Sequence, residues 1–189
     1  MRHFSLFVVF LTGLCLLGGC VSSPSQSKAV NEVSVSDGVQ LRLSSPPEVL
    51  WGESRTEVLT AYYNNEQKQA MIQTEFSDGH IALAAFTLSG VPIMTMVWQE
   101  TAGTKAKTYF EVENLTPSFI IADLQLALWP IAELDANLEG ENVSLHRREN
   151  NVREITKAGE PVIRIQKSDN KTIIFHLDKG YKISLETVK

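Results

Sequence analysis

The chain has 189 residues and a formal net charge of −5, and 43% of its residues are hydrophobic. This size and composition predict one globular domain with a hydrophobic core, and they exclude wholesale disorder. The acidic balance gives no general attraction for phosphate backbones, so we expect no nucleic-acid partner. A polybasic attachment to anionic lipid is not expected either, so any membrane attachment would come from apolar residues or a covalent lipid.

The N-terminus has the pattern of an export signal. After Arg2, an apolar run from Leu6 to Leu17 is too short to span a bilayer comfortably and suits the hydrophobic region of a signal peptide. The run ends in Leu17-Gly18-Gly19-Cys20, which looks like a bacterial lipobox: the small residues admit a peptidase, and the Cys20 thiol accepts diacylglycerol. We therefore predict a lipoprotein signal peptide over residues 1–19 and a lipidated Cys20. The alternative is an ordinary cleaved signal that happens to contain a cysteine.

The cysteine count supports a lipid anchor. The only other cysteine, Cys15, lies within the predicted signal, so the mature protein has one thiol and no possible internal disulfide. The acyl chains of a bacterial lipoprotein provide stable attachment, because each buried methylene contributes about 0.8 kcal/mol. By resemblance to the sorting rule of Gram-negative bacteria, Val21 implies the outer membrane, with the protein facing the periplasm after the lipoprotein-processing and sorting machinery has handled it. The polar, serine-rich stretch that completes residues 20–38 is predicted to be a flexible tether.

The remaining residues, 39–189, are predicted to form a single domain that begins with strands. A short strand with alternating apolar residues starts at Val39, and an antiparallel meander extends from Arg55 to Gln99. Asp78-Gly79 is its clearest hairpin turn, because glycine tolerates positive φ. The runs 81–88 and 91–98 are apolar on both faces. This predicts central strands covered on both sides, or a wall with one face on an interior cavity.

The periodicity then changes to that of helices. Thr116-Pro117 is a favourable helix start, and the helix that follows is apolar nearly all round, which predicts that it is buried. Trp129-Pro130 marks its end, and a second short helix is predicted to end at Gly140.

The C-terminal part of the chain returns to alternating strands. In one of them Ile173, Phe175 and Leu177 are predicted to face inward, and His176 outward. The order of strands, helices and strands predicts an α+β fold. In this fold a curved, mainly antiparallel sheet, an incomplete barrel, wraps around two short apolar helices.

No motif in the sequence predicts catalysis, a metal site or a cofactor. The histidines His80, His146 and His176 are scattered without metal-ligand spacing, and His176 is interpreted as an ordinary strand histidine. The sequence has no G-x-S-x-G nucleophile turn and no glycine-rich phosphate loop. We therefore expect a protein that is not an enzyme and that holds no metal or cofactor.

The apolar helix carries the one specific hypothesis about a binding site. Its residues are either simply core, or part of its surface lines a pocket for acyl chains with Trp129 at the mouth. The sequence leaves both open, because lipid pockets and cores use the same residue types. The candidate lining residues are Phe119, Ile120, Leu124, Leu126, Leu128 and Trp129.

Two segments resemble those of a known family. The run from Ile121 to Pro130 looks like the central signature of an uncharacterised family of small outer-membrane lipoproteins associated with aryl-polyene biosynthesis clusters, and Gly180-Tyr181-Lys182-Ile183 looks like its closing strand. The order of elements is also similar to that of the LolA/LolB carriers, which implies an incomplete barrel enclosing helices and a hydrophobic cavity. LolB-type receptors carry a protruding loop with an exposed apolar residue, for which Leu88-Ser89-Gly90-Val91 is the candidate here.

These observations predict a non-enzymatic outer-membrane lipoprotein that binds or transfers a hydrophobic ligand, such as an acyl chain, a polyene or a lipoprotein, in a half-barrel cavity. The alternative is an accessory or scaffold lipoprotein that docks a protein partner at the membrane surface, which predicts a solid core and an exposed apolar patch. An enzyme would instead need a polar cleft with converging titratable groups.

Overall fold

A computed structural model describes residues 31–110 and 116–188 of the chain. The predicted signal peptide, Cys20 and most of the predicted tether lie outside the described residues. Within the described ranges, no helix is both long and apolar enough to cross a membrane.

The described residues form antiparallel strands and two α-helices. The strands are β1 (Glu32–Ser36), β2 (Val39–Arg42), β3 (Ser54–Tyr63), β4 (Glu66–Ser77), β5 (His80–Phe86), β6 (Pro92–Gln99), β7 (Gly103–Thr108), β8 (Leu138–Glu139), β9 (Val143–Arg147), β10 (Val152–Lys157), β11 (Glu160–Lys167), β12 (Lys171–His176) and β13 (Tyr181–Thr187). The helices are α1 (Pro117–Leu128) and α2 (Ile131–Asn137), and a short 3-10 helix covers Glu48–Leu50.

The larger of two sheets has ten strands and consists of two meanders joined in the middle. Strands β3 to β7 form one meander, β9 to β13 form the other, and β3 pairs with β13. The sheet is curved and unclosed, with β7 and β9 at its edges, and a separate three-stranded sheet has the order β1-β2-β8. The prediction of a mainly antiparallel, open sheet with two short helices is therefore confirmed.

The helical segment connects the two edges of the ten-stranded sheet. The chain leaves edge strand β7, forms α1, α2 and the short β8, and then enters edge strand β9. A chain that passes directly between the edges of a curved sheet crosses its concave side. Contacts of α1 with β7 and β12, and of α2 with β9, agree with this path.

The tight turns are formed by residues that tolerate positive φ. The β4–β5 hairpin turns at Asp78-Gly79 as predicted, and Gly79 has a φ of 62°. Asn64 and Asn65 both have positive φ between β3 and β4, because asparagine adopts the left-handed region more readily than most residues. These turns set the register of the hairpins and therefore decide which side chains face inward.

The folded part begins earlier than the sequence analysis predicts. Strand β1 (Glu32–Ser36) lies within the stretch assigned to the tether, and it pairs with β2. Val33 and Val35 are buried, so the alternation of valine with polar residues outweighs the serine-rich composition. Val39, the predicted start of the domain, is the first residue of the second strand.

Helix α2 differs from the prediction in two respects. It ends at Asn137 and not at Gly140, because Leu138 continues into β8 and pairs with Leu41. It was also predicted to be apolar, but Leu134 is its one buried residue, so α2 covers the sheet with a single face.

The hydrophobic core lies between the inner face of the ten-stranded sheet and α1. Strands β5 and β6, predicted to be apolar on both faces, bury one face only. Their buried residues are Ile81, Leu83, Ala85, Met94, Met96 and Trp98. The other face of these strands is partly or fully exposed, so the interpretation of strands covered on both sides is wrong.

Candidate functional site

Helix α1 is buried around almost its whole circumference. It begins at Pro117 as predicted and ends before Trp129-Pro130, since proline disfavours helical backbone in the residue that precedes it. Every residue from Ile121 to Ala127 is buried. The prediction of a buried apolar helix is therefore confirmed.

The six candidate cavity residues fall into two groups by exposure. Leu124, Leu126 and Trp129 are at most 2% exposed and belong to the core, whereas Phe119, Ile120 and Leu128 are half-buried and pack against it. Trp129, expected at a pocket mouth, therefore lies inside the core. Its ring packs edge-to-face with the ring of Phe76, with the ring centroids 6.2 Å apart. Only the half-buried group offers apolar surface beside the helix in the described conformation.

Two open clefts among the described residues contain no candidate cavity residue. One, of about 700 Å³, lies at the ends of β9, β10 and β11 and is lined by Arg147, Arg148, Glu149, Val152, Glu154, Arg164 and Gln166. The other, of about 250 Å³, is formed where β3, β4 and β5 meet and includes Phe76 and His80.

Polar contacts to Ser44 hold the C-terminal half of α1 in place. The side-chain amide of Gln125 donates to the Ser44 carbonyl at 2.9 Å and accepts from the Ser44 backbone N–H at 3.1 Å. The Trp129 indole N–H donates to the Ser44 hydroxyl at 3.1 Å, and Arg153 Nη1 donates to the Trp129 carbonyl at 2.6 Å. The buried polar groups at this end of the helix are thus paired, as buried polar groups must be to avoid a large desolvation cost.

A second polar link joins α1 to β12. Asp123 Oδ1 lies 2.8 Å from His176 Nε2, and the His176 ring stacks on Tyr181 with centroids 4.2 Å apart. Burial, together with the negative charges of Asp123 and Asp178, raises the pKa of Tyr181 far above its ordinary value, so the phenol stays neutral. Because His176 is only 1% exposed, we interpret the pair as a structural link and not as a base that reaches substrate.

The prediction that His176 faces outward is wrong. Side chains alternate along a strand, and His176 shares its face with Ile174, which is fully buried. Cross-strand pairs confirm this face: Ile163 is opposite His176, and Ile165 is opposite Ile174. The buried carboxylate of Asp123 gives the imidazole the partner that allows it to face inward.

Four cationic side chains lie on the inner face at one end of the sheet, and we call them the basic rim. Arg55 starts β3, Arg153 lies near the start of β10, and Arg147 and Lys167 end β9 and β11. Arg147 and Arg153 are directly opposite each other across the β9–β10 pair. Glu57, which is 5% exposed, shares the inner face with Arg55.

The outer face near this end carries arginines that are paired. Glu154 receives hydrogen bonds from Arg148 at 3.0 Å and from Arg164 at 2.9 and 3.1 Å. These hydrogen bonds, with that to Arg164 contributing most, hold the pKa of Glu154 below its ordinary value despite burial. The cleft of about 700 Å³ therefore contains the paired Arg148, Glu154 and Arg164, and Arg147 of the basic rim also lines it.

Exposed apolar side chains concentrate at the opposite end of the sheet, and we call them the apolar rim. Leu88 and Val91 lie in the β5–β6 turn, and Tyr109 and Phe110 follow β7. The Tyr109 N–H donates to the Ile93 carbonyl at 2.9 Å, which keeps the end of β7 beside the start of β6. The candidate loop Leu88–Val91 is thus exposed and belongs to a larger apolar surface.

The sequence analysis missed the basic rim because it missed strands β9 and β10. The Asn150-Asn151 dipeptide, with positive φ at both residues, forms the turn between them and was the available signal. The overall acidic charge also concealed the local concentration of arginine. In the described ranges, no three histidine, cysteine, aspartate or glutamate side chains lie close enough together to hold a metal ion.

The comparison with known families adds to this geometry. Residues 54–189 match a family described as "Protein of unknown function (DUF3261)". This chain belongs to the DUF3261 family. The DUF3261 match begins at Ser54, the first residue of β3, so it includes the whole ten-stranded sheet and both helices and leaves out β1 and β2. No curated protein is significantly similar to the chain.

Proposed function

We propose that this protein is a non-enzymatic outer-membrane lipoprotein, anchored through Cys20 and facing the periplasm, that binds or transfers a hydrophobic ligand on the inner face of its sheet. One observation carries the proposal. Helix α1, buried around nearly its whole circumference, covers the apolar inner face of an open, curved sheet together with α2 and the β1–β2 hairpin. A sheet of this shape has room for a different apolar occupant wherever the helix moves away, and small-molecule sites are concave and mostly apolar.

In the described conformation α1 occupies the inner face, so a ligand must compete with the helix. The half-buried Phe119, Ile120 and Leu128 are the apolar residues that an acyl or polyene chain would meet first. The contacts of Gln125 with Ser44 oppose displacement, because separating them leaves buried polar groups unpaired. The proposal is therefore that the closed, helix-covered form is the ligand-free form.

The resemblance to LolA/LolB carriers and to the aryl-polyene-associated lipoproteins supports this proposal. The first resemblance rests on the order of elements. The second rests on the segment from Ile121 to Pro130, which here forms most of α1 and its end, and on Gly180-Tyr181-Lys182-Ile183. In the proposed function this segment is the element that covers the ligand surface.

The proposal is tested by titrating the full chain, in a mild non-ionic detergent, with a fluorescent polyene fatty acid. The expected result is saturable binding that Leu128→Glu weakens by about tenfold or more, because a charge beside the helix cannot enter an apolar contact without a large desolvation cost. Leu177→Glu is the matched control, since Leu177 is 42% exposed. Absence of saturable binding, or an equal effect of both variants, would contradict the proposal.

A second candidate function, docking of a protein partner at the membrane surface, is favoured by the apolar rim. Leu88, Val91, Tyr109 and Phe110 are each between 45% and 58% exposed, and clustered exposed apolar residues mark interaction sites. Cross-linking in intact cells should give a complex of defined mass that Leu88→Ser with Phe110→Ser abolishes. An unchanged cross-linking pattern in this double variant would exclude the rim as the interface.

A further inference from the structure

Three of the four cations of the basic rim have no carboxylate partner among the described residues. Within the described ranges, no carboxylate oxygen lies within 4.0 Å of the side-chain nitrogens of Arg147, Arg153 or Lys167, whereas Arg55 pairs with Glu53 at 2.6 Å. Like charges directly opposite each other, as Arg147 and Arg153 are, destabilise a sheet. The inner face therefore holds an excess of positive charge that a bound anion would neutralise.

The contrast with the outer face shows that this arrangement is selective. On the same strands, Glu154 pairs with both Arg148 and Arg164. The register thus gives the outward arginines a paired carboxylate, whereas Arg147, Arg153 and Lys167 have none within 4.0 Å among the described residues. Burial lowers the pKa of Lys167 and of Arg153, and the neighbouring cations lower each of them further.

Two buried oxygens beside the basic rim have no hydrogen-bond partner in the part of the chain that the structure describes. Glu57 Oε2 and Thr74 Oγ1 are both unpaired, and Thr74 is fully buried opposite Arg55. Burial raises the pKa of Glu57, so its carboxyl group takes up a proton more readily and then acts as a donor. Unpaired buried oxygens cost free energy in the ligand-free protein, and a ligand with acceptor oxygens would accept a hydrogen bond from the Thr74 hydroxyl.

We propose that the basic rim binds the phosphate or carboxylate headgroup of an anionic amphiphile, with the apolar chain directed along the inner face beside α1. This inference rests on the proposed function and names the charge of its ligand. Arg147, Arg153 and Lys167 supply charge-assisted hydrogen bonds to the headgroup. Arg153 also contacts the carbonyl of Trp129 at 2.6 Å, so a headgroup bound there would act directly on the end of the helix that covers the apolar surface.

The test uses the full chain incorporated in phosphatidylcholine nanodiscs and titrated calorimetrically with octyl phosphate, 1-octanol and inorganic phosphate. Octyl phosphate should bind at least about tenfold more tightly than 1-octanol, since each charge-assisted hydrogen bond contributes roughly one order of magnitude in affinity. Arg153→Gln with Lys167→Gln should remove this preference. Lys171→Gln with Lys182→Gln, which removes two positive charges from the outer face, should leave the preference unchanged.

A further variant tests the same proposal at an exposed position, where a substitution should not unfold the protein. Arg147 is exposed, so Arg147→Gln leaves the packing intact and should weaken octyl phosphate binding about three- to tenfold without affecting 1-octanol. Equal affinities for octyl phosphate and 1-octanol would overturn the inference and leave the proposed function standing. Inorganic phosphate that binds as tightly as octyl phosphate would identify a free anion as the ligand. Failure of both octyl compounds to bind would instead overturn the proposed function.

Discussion

Truncation of Leu126 measures whether α1 is packed core. Leu126 is fully buried in the last turn of the helix. Leu→Ala changes at such positions cost the transfer free energy of the lost carbons and a further amount for the cavity, about 3–5 kcal/mol in total. For a domain of this length, that loss corresponds to a decrease in melting temperature of roughly 6–20 °C.

The assay is urea unfolding of the full chain, followed by the fluorescence of the buried Trp98 and Trp129. Leu177→Ala is the matched control, and its loss should stay below about 1 kcal/mol because Leu177 is 42% exposed. If Leu126→Ala costs no more than this control, Leu126 faces a hollow or solvent. The description of α1 as a close-fitting cover of the sheet would then be refuted.

Three further predictions concern single side chains. Cys20→Ser should leave the domain folded and remove the protein from the membrane fraction; a variant that stays there after a high-salt wash would mean that Cys20 is not the anchor. Glu154→Gln should destabilise the protein by about 1–2 kcal/mol at pH 7, less than a fully buried pair because both arginines are partly exposed. Since the Glu154 pKa is lowered, this difference should fade as pH drops below 4.5, and a pH-independent difference would contradict the ion-pair explanation. The pKa of Glu57 is raised, so the wild type should lose stability as pH rises above 4.5, whereas Glu57→Gln should not. Equal pH profiles of the two proteins in chemical unfolding would contradict the raised pKa of Glu57.

The sequence predicted those elements in which the local start and turn signals coincide with the pattern of apolar residues. The helix from Pro117 was predictable because a proline start, a helical apolar period and a closing Trp-Pro pair coincide. The Asp78-Gly79 hairpin was predictable because glycine at positive φ is required there.

The sequence did not predict features that depend on a partner distant along the chain. His176 faces inward because Asp123 lies opposite it, 53 residues away. Apolar residues occur on both faces of strand β12, so its sequence does not indicate which face is buried. Strands β9 and β10 were missed because their inner faces end in the cations Arg147 and Arg153, which leaves only Val143, Leu145 and Ile155 to indicate the apolar side.

Native mass spectrometry of the full mature chain, released from mild non-ionic detergent, tests the central claim most directly. The account predicts a co-purifying acyl or polyene species that survives gentle release and is lost in Leu128→Glu, while Leu177→Glu retains it. A mass equal to the lipidated chain alone, unchanged after lipid is offered, would contradict the claim that this protein binds a hydrophobic ligand.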